Sequence, residues 1–242
     1  MVDAHCHIDL YPNPKEILDE CESSGIFTIA VTNLPSHFAM GFIHTRNYKK
    51  IRLALGLHPL HASRHVEELP RFQEYLDRTS YIGEVGLDFS KEGIETKEIQ
   101  LASFRTILGY LKDKNKIVSI HSRRAEKEVL NLLQEFNIKT AIFHWYSGPE
   151  KMIQNIVDAG YYFSVNIAMT TSAAGRRIIA AIPSPYLLTE SDGPYTMTDG
   201  KPSRPIDMAK TLQAIAEVRM CDSYSLSKQV QQNFFTVINA LK

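Results

Sequence analysis

The chain has no long apolar run, no surplus of charge of either sign and very little cysteine, and each shortage removes a class of protein. No stretch approaches the roughly 20 consecutive apolar residues of a spanning helix. The opening Met1-Val2-Asp3-Ala4-His5 lacks the basic and then apolar order of a secretory signal, so neither secretion nor a membrane partner is expected. The 27 Lys and Arg are matched by 27 Asp and Glu, so the whole molecule is no polycation and any hold on nucleic acid must come from a local patch. Cys6, Cys21 and Cys221 are odd in number and scattered, which excludes a disulfide framework and points to free thiols in a reducing, cytoplasmic compartment. Linkers rich in Gly or Ser, low-complexity tracts and long internal repeats are also lacking. The 242 residues, 44% of them hydrophobic, are therefore expected to form one domain spanning 1–242.

What the sequence does contain is a rhythm. Apolar runs rich in β-branched residues alternate with stretches of helical period almost from end to end. The expected strands are Val2 to Ile8, Phe27 to Asn33, Ile51 to His58, Tyr81 to Asp88, Lys116 to Ser122, Thr140 to Tyr146, Tyr161 to Ala168 and Tyr186 to Asp192. Between them lie amphipathic segments at Pro14 to Ser24, Val66 to Thr79, Thr96 to Asn115, Ala125 to Asn137 and Glu150 to Gly160; Leu101, Phe104, Leu108 and Leu111 illustrate the apolar stripe. Eight such units in this length predict an α/β protein of the (β/α)8 TIM-barrel type, because closure leaves no edge strand to protect. Ile206 to Met220 and Ser225 to Leu241 supply one helix more than a minimal barrel needs, and the last is expected to pack outside or across the bottom.

In such a barrel the chemistry sits where the strands end. Polar residues gather at those positions: His5 and His7 share one face of the first strand, with Cys6 facing the helix layer between them. His58 ends the third strand, Glu84 and Asp88 share a face of the fourth, and His121, His144, Glu190 and Asp192 follow on the fifth, sixth and eighth. A lone His-x-His is more often a hydrogen-bonded pair than a metal site. Registration across many strands reverses that balance, and imidazole with carboxylate suits zinc, manganese or magnesium. Two cations a few Å apart need a carboxylate that reaches both, and Glu84 is the natural bridge, although a single ion with fewer ligands fits the same residues. Asp192 serves as ligand, as base for an attacking water, or both in turn. His37 and His44 are placed in a helix or loop, and His61 and His65 on a surface helix, with no functional role.

These residues resemble the TatD family of metal-dependent deoxyribonucleases, amidohydrolase-like barrels, along the whole chain. Asp3-Ala4-His5-Cys6-His7, Gly56-Leu57-His58-Pro59 and Gly83-Glu84-Val85-Gly86-Leu87-Asp88 look like the first three motifs of that family, and Gln100 with Phe104 like its following helix. Ile120-His121-Ser122-Arg123, His144-Trp145-Tyr146-Ser147-Gly148 and Glu190-Ser191-Asp192-Gly193-Pro194 look like the remainder. The resemblance implies that His5, His7, Glu84 and Asp192 hold one divalent ion (Mg2+, Mn2+ or Zn2+) and that Glu84, His121 and His144 hold a second. Glu84 and Asp192 would carry the catalysis. The implied reaction is hydrolysis of phosphodiester bonds in DNA or RNA ends, commonly stepwise from a 3′ end. The chain departs from the pattern at Trp145-Tyr146, where Cys-Phe is usual, and at Ser203-Arg204-Pro205, where Arg-Asn-Glu-Pro is usual. The metal chemistry is expected to survive and substrate choice to shift, with Trp145 and Tyr146 stacking a terminal base. Compactness and these departures are similar to the TatD-like components of bacterial anti-phage operons, which implies protein partners from such an operon.

The substrate contacts expected from position are His58, Arg123, Trp145, Tyr146 and Arg204. Arg64, Lys91, Arg123, Arg124, Arg176, Arg177, Lys201 and Arg204 all fall in or near loops of the catalytic rim, an asymmetry that would make a phosphate channel, with Arg123 its leading contact. Two rival readings share the residues. One is a cyclic-amide or lactone hydrolase, against which Glu84 stands where such relatives commonly carry a carbamylated lysine; the other is a non-catalytic sensor of nucleotide or nucleic acid within a defence complex.

Overall fold

Residues whose side chains are buried on both faces favour the interior of a parallel sheet, and the apolar runs take that role. In the computed structural model, which describes residues 1–241, the strands are β1 (Val2–Cys6), β2 (Phe27–Ala30), β3 (Ile51–Leu53), β4 (Leu55–Leu57), β5 (Tyr81–Gly86), β6 (Ile117–His121), β7 (Ala141–His144), β8 (Tyr162–Val165) and β9 (Leu187–Thr189). Parallel pairing runs β1-β2-β3 and then β4 through β9 in order. β3 and β4 flank Ala54 and form the two halves of one barrel strand. The seam between β9 and β1 is closed by backbone bonds from Asp192 to His5 and from His7 to Gly193, both 2.9 Å. Asp3 reinforces it by accepting from the Ser191 amide at 2.9 Å. The expected α/β barrel is therefore the fold.

Two glycines let neighbouring strands approach where a side chain would keep them apart. A Cβ on Gly56 would fall 1.6 Å from the Thr32 carbonyl oxygen, the same oxygen that accepts from the Glu84 amide at 3.0 Å. A Cβ on Gly86, where φ is +143°, would meet the His121 carbonyl oxygen at 1.9 Å. Both motifs noted in the sequence thus have a packing reason: they bring the ends of β2, β5 and β6 close enough for Glu84 and His121 to share one space.

Helices α1 (Pro14–Ser24), α2 (Pro35–Thr45), α3 (His65–Tyr75), α4 (Lys97–Leu111), α5 (Glu126–Glu135), α6 (Ile153–Asp158), α7 (Ala173–Ala181), α8 (Met208–Arg219) and α9 (Ser223–Asn239) cover the barrel. The stripe of α4 is buried at Phe104, Leu108 and Leu111, and α1 begins at Pro14 under an Asn13 cap that accepts from the Glu16 amide. α2 and α7 appear where only loop or weak helical pattern was expected. Residues Met197–Thr198 and Lys201–Pro202 form a small hairpin, β10 and β11, turning at Asp199-Gly200 with both φ angles positive.

The extra helix α9 docks at the N-terminal end of the barrel. Its Asn233 donates to the carbonyls of Ser184 and Leu187 at 2.7 Å, and Phe234 meets Phe27 with centroids 4.9 Å apart. Cys6 is buried with Ile8, Tyr11, Ile17 and Leu18, as its strand position implied. Among the described residues, no helix is long and apolar enough to cross a membrane. Gly56→Ala is expected to lower stability by about 3 kcal/mol or more, since neither backbone can yield easily; a denaturant midpoint unchanged from wild type would contradict the proposed close approach.

Candidate metal centre

A buried carboxylate is costly unless its oxygens find partners, and the two oxygens of Glu84 find different ones. Oε1 lies 2.6 Å from His121 Nδ1, 2.8 Å from His144 Nε2 and 3.2 Å from His58 Nε2. Oε2 lies 3.3 Å from His7 Nε2 and 3.5 Å from His5 Nε2. Burial works against this carboxylate, but the surrounding imidazoles of His58, His144 and His121 outweigh it and hold its pKa well below the usual range. The side chain thus stands ionised between two groups of imidazoles, one from β1 and one from the ends of β4, β6 and β7.

His5 and His121 are each aimed by a hydrogen-bonded partner on the far side, whereas His7 Nδ1 has none. His5 Nδ1 meets Ser119 Oγ at 2.7 Å. His121 Nε2 meets Asp88 Oδ2 at 2.8 Å, so the ring is held between that carboxylate and Glu84. Burial opposes the Asp88 charge, yet the His121 bond and the Ser90 donors hold its pKa at about 2. His144 Nδ1 faces Glu190 Oε1 at 3.8 Å, and Glu190 is itself held by Asn166 and Ser164 and accepts from the Trp145 amide at 3.0 Å. His5 and His144 stack with centroids 3.9 Å apart and planes 8° from parallel. Two charged rings cannot share that contact: burial, with His144 adding to it, lowers the His5 pKa well below its ordinary value. At His144 burial also opposes charge, but Glu84 and Glu190 prevail and raise its pKa.

His58 differs from the others. Its Nδ1 accepts from the Leu60 amide at 3.1 Å, so the neutral ring carries its proton on Nε2. Burial lowers its pKa to about 4, which keeps it neutral. A neutral N–H aimed into the site donates to an oxygen; it offers no lone pair to a cation. This agrees with the expected role of His58 as a substrate contact, although it also lies with Glu84 and His121 in a ligand-like group.

The donor set fits divalent cations. Two further groups, His5 with His7 and Glu84, and His5 with His144 and Asp192, have ligand atoms within 4.8 Å of one another. Asp192 Oδ1 is buried and without a hydrogen-bond partner, 3.7 Å from both His5 Nε2 and His7 Nε2. Burial first, and then the charges of Glu190 and Glu84, raise its pKa well above the ordinary range despite His144. A cation beside it would reverse that balance.

Comparison with known proteins decides the family. The family model described as TatD related DNase matches residues 2–239. This chain belongs to the TatD family. It is similar to the uncharacterized metal-dependent hydrolase YjjV of Escherichia coli, 27% identical, with 98% of this chain and 97% of that one covered. The crystal structure of YjjV superposes with a TM-score of 0.87 at 26% identity, covering 98% and 97% of the two chains. A human protein, deoxyribonuclease TATDN3, is 25% identical over 100% of this chain and 96% of its own. The protein is thus a metal-dependent hydrolase of the TatD family.

The TatD site is reached through a cavity of about 760 Å³ whose lining includes His7, Glu84, His121, His144 and Asp192 together with His58, Arg123 and Trp145. Two expected substrate contacts are corrected. Tyr146 is buried between Phe143 and Phe163, with its hydroxyl on the Pro149 carbonyl, and does not reach the cavity. The positive φ of Trp145, +36°, breaks the alternation of β7, so Tyr146 leaves the face of His144 and packs with Phe143 instead. Arg204 is held by Glu16 at 2.7 Å and Glu20 at 2.8 Å against α1 and is likewise outside.

With Arg204, four of the eight basic rim residues are held by acids. Arg64 pairs with Glu68, Arg177 with Glu150, and Arg123 with Glu92 at 3.5 Å. His61 and His65 were expected on the surface, but His61 lines the cavity and buried His65 holds the His58 carbonyl at 3.0 Å. Sequence reasoning missed Asn33 and Tyr195, which also line the cavity; each stands just past a strand end, the signal that could have found them.

Asp88→Asn is expected to weaken divalent-metal binding by roughly 10- to 100-fold, the usual effect of losing a carboxylate behind a ligating histidine, while the far-ultraviolet spectrum stays that of wild type. Competition with a chromophoric chelator measures it; unchanged affinity would remove Asp88 from the centre.

Proposed function

We propose that this TatD hydrolase cleaves phosphodiester bonds at the ends of DNA strands, stepwise from the 3′ end, using two divalent cations. The observation that carries this reading is the division of Glu84: one oxygen serves His5 and His7, the other His121 and His144. His5, His7, Glu84 and Asp192 would hold one ion and Glu84, His121 and His144 the other, with magnesium, manganese or zinc all suited to these donors. When bound, such cations supply Lewis acidity, acidifying a water and screening phosphate charge.

The chain's own residues supply the remainder. Asp192, whose Oδ1 has no protein partner, accepts the proton of the attacking water. His58 donates its Nε2 proton in a hydrogen bond to a phosphate oxygen, and its neutrality lets it do so without repelling the cations. Arg123, on the cavity wall, contacts the next phosphate, and Trp145 contacts the departing nucleotide. The human relative is named for deoxyribonuclease activity. The resemblance to anti-phage operon components extends the proposal to removal of foreign DNA in the cytoplasm beside other operon products.

A 3′-labelled single strand incubated with manganese is expected to release mononucleotides and to stop on addition of chelator. Asp192→Asn should reduce kcat by about 100-fold or more, the range of a lost general base, with the fold retained. Turnover of cyclic amides alone, or cleavage indifferent to chelator, would overturn the reading.

A further inference from the structure

Three residues on the cavity wall stand outside the set of candidate metal ligands. Asn33, just past β2, is only 6% exposed, yet its Oδ1 has no hydrogen-bond partner. Tyr195, in the loop after β9, is 57% exposed and stands edge-on to His7 with centroids 5.1 Å apart. Trp145 is half-buried, with φ at +36° and its amide fastened to Glu190. All three line the same cavity as the candidate metal ligands.

A large exposed aromatic beside a catalytic centre and a buried amide lacking a partner both ask for a ligand. A buried unpaired carbonyl oxygen is costly and is satisfied when a donor arrives. An aromatic face offers stacking to any planar ring. Arg123 is the one Lys or Arg among the described residues that line this cavity, and it faces Glu92 at 3.5 Å. Side-chain cations at the cavity are therefore few, and the base is the part of a nucleotide to which neither they nor the proposed metal ions offer a partner.

We propose that Asn33, Tyr195 and Trp145 form a nucleobase subsite beside the metal centre, in which the two aromatic residues stack a single terminal base and Asn33 reads its edge. The ligand class is a nucleoside 5′-monophosphate unit, either free or at a strand end. The proposal rests on the phosphodiesterase reading for the phosphate half of that unit, and on the cavity wall for the base.

Binding separates the two. Titration calorimetry of the manganese-loaded protein would compare dAMP with 2-deoxyribose 5-phosphate, which lacks the base. The expected result is dAMP binding at least about tenfold more tightly, the scale of one base stacked on an aromatic side chain. Tyr195→Leu and Asn33→Ala should each shrink that ratio while the affinity for 2-deoxyribose 5-phosphate stays the same. Tyr195 is exposed, so its replacement is expected to fold and decides the matter alone should Asn33→Ala not fold. Equal affinity for the two ligands in wild type, or variants that weaken both alike, would overturn the subsite. A protein that prefers dAMP but cleaves no strand would sustain the subsite and refute the nuclease; one that degrades strands without preferring dAMP would do the reverse.

Discussion

A single ionised carboxylate, Glu84, buried where the barrel opens and divided between two groups of imidazoles, is the constraint to which the rest of the molecule answers. A charge in that position is tolerated only with partners on every side, and five histidines from four barrel strands supply them. Gly56 lets the Thr32 carbonyl reach the Glu84 amide, and Gly86 lets β5 and β6 touch at His121. Ser119, Asp88 and Glu190 stand behind His5, His121 and His144 and set their orientation. The architecture holds an electrostatic arrangement that the polypeptide alone leaves incomplete, as the partnerless oxygen of Asp192 shows.

Three of the seven positive-φ non-glycine residues among those described stand at the same end: Arg124, Trp145 and Asp192, with φ angles of +58°, +36° and +45°. Arg124 and Trp145 follow strands that end in a candidate ligand, and Asp192 is itself one. Such conformations cost of order 1–3 kcal/mol apiece and persist where surrounding contacts overdetermine them; the Trp145 amide on Glu190 and the Asp192 amide on His5 are those contacts here. The chain turns sharply after β6, β7 and β9, which delivers side chains into the mouth instead of along the strand.

Much of this was legible in the sequence because periodicity and strand-end polarity are local properties. The eight barrel strands, the α1 boundaries and the convergence of His5, His7, Glu84, His121, His144 and Asp192 all follow from them. Tyr146 and Arg204 did not, for reasons that are not local. Tyr146 sits past the end of β7, where a one-residue change of direction sends its ring to the helix layer, and Arg204 meets acids on α1 that are 184 and 188 positions away in sequence. The Arg123 and Arg177 pairs are distant in the same way, whereas Arg64 meets Glu68 only four positions on, so half of a rim that reads as basic is paired with acids. Conversely, the Asp199-Gly200 hairpin carries a clear local turn signal.

The small number of side-chain cations at the cavity supports the proposed grip on the end of a chain by its last nucleotide and not on a long stretch of backbone. That picture still depends on inorganic charge gathering at Glu84. Anomalous diffraction from crystals grown with manganese tests it most directly: the account predicts two peaks, one on the His5 and His7 side of Glu84 and one on the His121 and His144 side. A single peak away from Glu84, or none while these side chains keep their positions, would contradict it.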